Sequence, residues 1–132
     1  MKLLSIQSSR REEFIDVTSL VAKEVSSSRI RNGICVTTSL HTTGGVTVNE
    51  NADPSVVKDI LNIFNKMAPP DAKYSHTEGN SDAHIKTSLV GNSVTLIVKN
   101  GELVLGTWQG IYFCEFDGPR TRTLAVEIIS SK

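Results

Sequence analysis

An α+β fold in one domain, with an antiparallel or mixed sheet packed against two main helices, is what this sequence predicts, and three observations carry that expectation. Its 132 residues suit a single domain, spanning 1–132, that buries about two-thirds of its unfolded surface without a disulfide staple. Short apolar runs alternate with polar residues at the period of two that half-buried strands show. Two longer stretches, Thr18 to Ser28 and Pro54 to Met67, carry instead the spacing of an amphipathic helix.

Taken in order, Lys2–Ser8 and Glu13–Val17 read as short strands around the polar turn Ser9-Arg10-Arg11, whose arginines need do no more than keep it soluble. Thr18 is placed to cap the first helix, with Leu20, Val21 and Val25 on its inner face, and the serine run Ser26-Ser27-Ser28 ends it. Gly33–Leu40 is β-rich, and Val46–Glu50 reads as a further strand, so His41-Thr42-Thr43-Gly44-Gly45 reads as the hairpin loop between them. Asp53 caps the second helix, Pro54 occupies its first position, and Pro69-Pro70 prevents its continuation. Its apolar stripe is Val56, Val57, Ile60, Leu61 and Phe64. The polar stretch that follows ends where Asp82 can cap a short helix running through Ile85 and Leu89 to Gly91.

Val94–Val98 and Leu103–Leu105 form a hairpin about Asn100-Gly101, a pair suited to the positive φ angles of a tight turn. Beyond Gly106-Thr107-Trp108-Gln109-Gly110, alternation puts Ile111, Phe113, Glu115 and Asp117 on one face and Tyr112, Cys114 and Phe116 on the other. After the Gly118-Pro119 turn, Arg120, Arg122, Leu124, Val126 and Ile128 share a parity. Two carboxylates and two guanidiniums thus meet at one sheet end. Interstrand salt bridges and an arginine fork for phosphate explain that meeting equally well.

Equal totals of 14 basic and 14 acidic residues exclude the broad cationic surface that nucleic acid or an anionic membrane would need. Cys35 and Cys114 each lie inside an apolar run, which suggests buried thiols in a reducing compartment. No apolar run approaches the ~20 residues of a membrane span or makes a signal peptide, so a cytoplasmic location is expected.

The chain has three histidines, His41, His76 and His84, each in or beside a polar loop. Three imidazoles plus water would make the open tetrahedral site of a catalytic zinc, with Glu50 or Asp82 assisting, although the spacing matches no compact zinc signature. Hydrogen-bonding histidines that hold an anion or exchange protons explain the same placement. Trp108, between two glycines, can offer a flat ring to a ligand.

Four motifs in order carry a resemblance: His41-Thr42-Thr43 with Asn49-Glu50; Tyr74-x-His76 with Asn80-x-Asp82-Ala83-His84; Leu105-Gly106-Thr107-Trp108-Gln109; and Glu115-x-Asp117-Gly118-Pro119-Arg120-x-Arg122. Together they resemble the YjbQ family, also called UPF0047, from about Phe14 to Ile128. The resemblance implies a homotrimer with secondary thiamine-phosphate synthase-like activity, a transferase reaction joining hydroxymethylpyrimidine diphosphate to thiazole phosphate with release of diphosphate. It implies that His41, His76 and His84 hold a divalent metal, Mg or Zn, and that Glu50, Asp82, Glu115, Asp117, Arg120 and Arg122 are catalytic. Asn49, Asn80, Thr107, Trp108 and Gln109 would contact a small phosphorylated metabolite. A metal-dependent hydrolase or lyase with a three-histidine site, or a non-catalytic phosphometabolite-binding trimer, remains the alternative.

Overall fold

A computed structural model describes residues 1–132. The chain runs β1 Lys2–Gln7, β2 Glu13–Asp16, α1 Thr18–Ser28, β3 Gly33–Ser39, β4 Gly44–Glu50, α2 Pro54–Met67, α3 Ser81–Val90, β5 Ser93–Lys99, β6 Glu102–Leu103, β7 Gln109–Glu115 and β8 Thr121–Ser130. The expected α+β class is realised with three helices and two sheets, ordered β1-β8-β3-β5-β6 and β2-β7-β4, in which every pairing is antiparallel. No helix is long and apolar enough to cross a membrane.

The three-stranded sheet is the middle layer, because its central strand β7 is apolar on both faces. Ile111 and Phe113 face a core shared with Val21 and Val25 of α1 and with Cys35, Leu124 and Val126 of the larger sheet. Tyr112 and Cys114, with Phe116 just beyond the strand, face a second core, closed by Ala83 of α3 and by Val57, Leu61 and Phe64 of α2. The outer face of the five-stranded sheet carries no such cover. There Ile34 pairs in register with Ile97 on one side and Ile129 on the other, and all three side chains are exposed.

Three local expectations are corrected. Gly44 and Gly45 are strand residues rather than a flexible loop, because only a missing Cβ allows the packing: at Gly44 it would stand 2.6 Å from Phe113 Cζ, and at Gly45 2.5 Å from the Gly91 carbonyl oxygen. Thr18 does not cap α1; its hydroxyl accepts from the Ile111 amide at 2.9 Å, while Asp16 Oδ1 accepts from the Thr18 amide. Asn80, and not Asp82, is the residue before α3.

Candidate functional site

The β4–β7 ladder determines which expected site residues can meet. Its register pairs Gly44 with Glu115 at one end and Glu50 with Gln109 at the other. Six residue steps at the usual rise separate the two ends by about 20 Å. His41, Asn80, Asp82, Glu115, Asp117, Arg120 and Arg122 gather at the first end. Asn49, Glu50, Thr107, Trp108 and Gln109 gather at the second, where Trp108 is 63% exposed and the Gln109 side-chain oxygen closes its own turn on the Gly106 amide at 2.7 Å. The chain therefore does not unite the whole expected set.

At the first end, alternation along β7 and β8 turns Glu115 and Arg122 inward to make a buried ion pair, with side chains 0% and 2% exposed. Arg122 Nε donates to Glu115 Oε1 at 2.8 Å, and its Nη2 donates to Oε2 and to Thr43 Oγ1. Ser8 Oγ donates to the same carboxylate at 2.7 Å, and the Asp117 amide at 3.1 Å. Burial alone would raise the Glu115 pKa, but the bonds from Arg122, Ser8 and Asp117 and the Arg122 charge outweigh it and hold the group below its ordinary range. These bonds make the pair structural, with Arg122 Nη1 its one polar side-chain atom that has no partner in the chain. Gly118 lets the chain close over the pair, since a Cβ there would stand 2.3 Å from the Arg10 carbonyl oxygen.

Asp82 is likewise structural. Its side chain is fully buried on α3, bound by Arg11 through both carboxylate oxygens at 2.9 and 3.1 Å and by Lys86 at 2.8 Å. Lys86, also fully buried, reaches Asn65 at 2.6 Å and Glu12 at 3.4 Å. Desolvation pushes the Asp82 pKa up, and the bonds and charges of Arg11 and Lys86 bring it below the ordinary carboxyl value. Arg11, expected to do no more than solubilise a turn, instead ties β2's approach to α3. The i, i+4 spacing of Asp82 and Lys86 was a legible signal for this pair, whereas Arg11 had none.

What that anchoring positions is the opposite stripe of α3. Asn80, His84 and Thr87 follow one another at spacings of four and three, so they share one side of the helix. Asn80 Nδ2 donates to Asp117 Oδ2 at 2.8 Å, which leaves Asn80 Oδ1 buried without a partner; Thr87 Oγ1 is buried without one as well. Asp117 also accepts from Arg120, by Nη2 to Oδ2 at 3.0 Å and by Nε to the backbone oxygen at 2.8 Å. The Arg120 side chain is 50% exposed and its Nη1 remains unspent. A cavity of about 510 Å³ lined by Thr42, His84, Thr87, Ser88, Gly91 and Asn92 lies along this stripe.

The three histidines do not converge on one point within the chain. His41 Nε2 already accepts from the Thr123 amide at 2.8 Å, so its proton sits on Nδ1 and its ε nitrogen is spent. Burial and then the Arg122 charge push its pKa down, with Glu115 opposing, which favours the neutral ring. His76 and His84 meet edge to face with centroids 5.4 Å apart, and His76 Nε2 lies 3.7 Å from Glu78. No three histidine, cysteine or acidic side chains form a metal-binding group.

The family described as UPF0047 protein YjbQ-like matches residues 2–131. The chain belongs to the UPF0047 family. A UPF0047 protein of Methanocaldococcus jannaschii is 52% identical over 127 residues, which cover 96% of this chain and 92% of the relative. The UPF0047 protein YugU of Bacillus subtilis is 48% identical over 130 residues, covering 98% of each. A crystal structure of an uncharacterized YjbQ/UPF0047 family protein from Clostridium acetobutylicum superposes with a TM-score of 0.96 at 52% identity, covering 98% of this chain and 100% of that one. A Sulfolobus solfataricus protein of unknown function superposes at 0.94 with 32% identity, covering 98% and 96% of the two chains.

Within this UPF0047 fold, Thr42, quoted in a motif but given no role, and Thr87 and Ser88, which the sequence did not single out, join the candidate site. Thr87 lay in a helix whose periodicity was hard to read, and an isolated threonine carries no motif. Helical spacing from Asn80 and His84 was the only available pointer.

Proposed function

We propose that the α3 stripe and the Asp117–Arg120 pair bind a small phosphorylated metabolite, and that the protein is a transferase resembling secondary thiamine-phosphate synthase. The observation that carries the reading is the pair of partnerless buried atoms, Asn80 Oδ1 and Thr87 Oγ1, on the same side of α3 as His84. Buried polar atoms are nearly always satisfied, and an acceptor and a hydroxyl on either side of an imidazole suit a ligand with both donors and acceptors. Arg120 keeps Nη1 free and shares the Asp117 carboxylate oxygen with Asn80, which holds its plane beside that end of the stripe. The Nδ1–H of neutral His41 is a further donor.

In such a reaction, charge grows on a diphosphate as its bond to carbon breaks. Arg120 follows that charge, the hydroxyls of Thr42, Thr87 and Ser88 orient the phosphate oxygens, and His84 hydrogen-bonds or protonates the departing group. A divalent cation enters this proposal as a companion of the bound phosphate, because no three donors in the chain converge to keep one. The homotrimer belongs to the proposal too, supported by the exposed Ile129–Ile34–Ile97 row, an apolar strip that an antiparallel sheet facing water would not ordinarily carry.

The test is conversion of hydroxymethylpyrimidine diphosphate and thiazole phosphate to thiamine phosphate by purified protein with magnesium. Arg120→Ala is expected to lower turnover by about a hundredfold. Absence of product together with absence of binding to either precursor would remove the reading. Tight binding without product would leave the non-catalytic phosphometabolite-binding alternative in its place.

A further inference from the structure

A second concave region lies away from this face, between α1 and the β5–β6 turn, with a volume of about 560 Å³. Its lining residues include the aliphatic Val25, Ile30, Leu103 and Leu105 and two exposed arginines, Arg29 and Arg31. The arginines that find carboxylates in this molecule are Arg11, Arg120 and Arg122. Arg29 and Arg31 find none, although Glu102 lies on the same rim. Cationic forks held unpaired over an apolar floor are a recognition surface for an anion with an aliphatic body.

The backbone supplies an independent indication. Only two non-glycine residues in the chain have positive φ, Arg29 at 60° and Asn100 at 54°, and both line this cavity. Asn100 suits its tight turn. Arg29 does not, because the residue that ends a helix in the left-handed region is ordinarily glycine. A side chain that branches from such a position is held there against conformational preference, and residues of that kind concentrate where ligands are clamped. The Gly101 turn is bound to this segment, since its amide donates to the Arg31 carbonyl oxygen at 2.9 Å and a Cβ on Gly101 would stand 3.4 Å from Arg31 Nη1.

We infer that this cavity is a second, separate site that takes a small aliphatic anion, with Arg29 and Arg31 gripping a phosphate or carboxylate and Leu103 and Leu105 packing on its short hydrocarbon chain. The floor has no aromatic ring, which disfavours a nucleobase and suits an alkyl group. Phosphate and carboxylate share the chemistry, and the two probes below separate them.

The experiment is titration of the full chain with hexyl phosphate, hexanoate and inorganic phosphate, read by amide chemical shifts and calorimetry. Hexyl phosphate or hexanoate is expected to shift the Arg29 and Gly101 amides and to bind about tenfold more tightly than inorganic phosphate, because apolar burial adds to the ion pair. Arg29→Gly with Arg31→Ala is expected to weaken that binding at least about tenfold. Arg29→Gly alone relieves the left-handed strain, so its thermal midpoint should hold or rise, which separates lost binding from lost folding. Arg120→Ala, at the other face, should leave this affinity unchanged. Shifts confined to the Arg120 face, or equal affinity in the double variant, would overturn the inference and leave the arginines as partners of the negative pole of α1 alone.

Discussion

Glu115–Arg122 and Asp117–Arg120 are two carboxylate–guanidinium pairs set two residues apart, the first on β7 and β8 and the second in the turn that joins them, yet they do opposite work. The inner pair has side chains 0% and 2% exposed and is closed by Ser8, Thr43 and the Asp117 amide. The outer pair is 50% exposed on the arginine and 18% on the aspartate, and it keeps an unspent Nη1. The strand ends decide this: Glu115 and Arg122 lie within β7 and β8 and face the core, whereas Asp117 and Arg120 share their parity but lie in the turn beyond the strands. Identical functional groups thus become scaffold at one depth and recognition at the next.

The comparison is broken most severely by Arg122→Ala, which strands Glu115 in the interior and should cost about 3–5 kcal/mol, read as a fall in the urea midpoint. A stability change below about 1 kcal/mol would show the inner pair to be solvated after all. Arg11→Ala tests an intermediate depth. Asp82 keeps Lys86, so a loss of about 1.5–3 kcal/mol is expected in the same unfolding measurement. The outer Arg120→Ala should change stability by less than about 1 kcal/mol while abolishing phosphometabolite binding, checked by calorimetry beside the melt.

The same contrast sets the pH dependence. Glu115 and Asp82 have folded pKa values below their ordinary 4.5 and 3.8. The unfolded chain therefore binds more protons, and the stabilisation, fully present above the unfolded values, is lost as pH falls through the folded ones. Stability measured from roughly pH 6 downward should fall in this carboxyl range. Replacing the inner pair through Glu115→Gln and Arg122→Met should flatten part of that slope. An unchanged slope would assign acid sensitivity to other carboxylates.

The helices at Thr18–Ser28 and Pro54–Met67 and the two faces of β7 were legible because amphipathic period and turn chemistry are local properties. Gly44 and Gly45 were misread for the same reason: glycine in a turn and glycine under a phenylalanine ring look alike until Phe113 is placed above it. The gathering of His41, Asn80, Asp117 and Arg120 was implied by three of the four ordered motifs. Their separation from Trp108 and Gln109 depended on the β4–β7 register, which no single motif encodes.

The sequence by itself determined the α+β class, most element positions and the chemistry available at the Gly118 turn, since each depends on neighbours along the chain. Tertiary structure alone decided which arginine is buried, that Arg11 and Lys86 hold Asp82, and that Asn80 Oδ1 and Thr87 Oγ1 are left without partners. Those outcomes depend on burial and on contacts between residues as much as 107 positions apart, as in Ser8 with Glu115, and burial governs the strength of a charge.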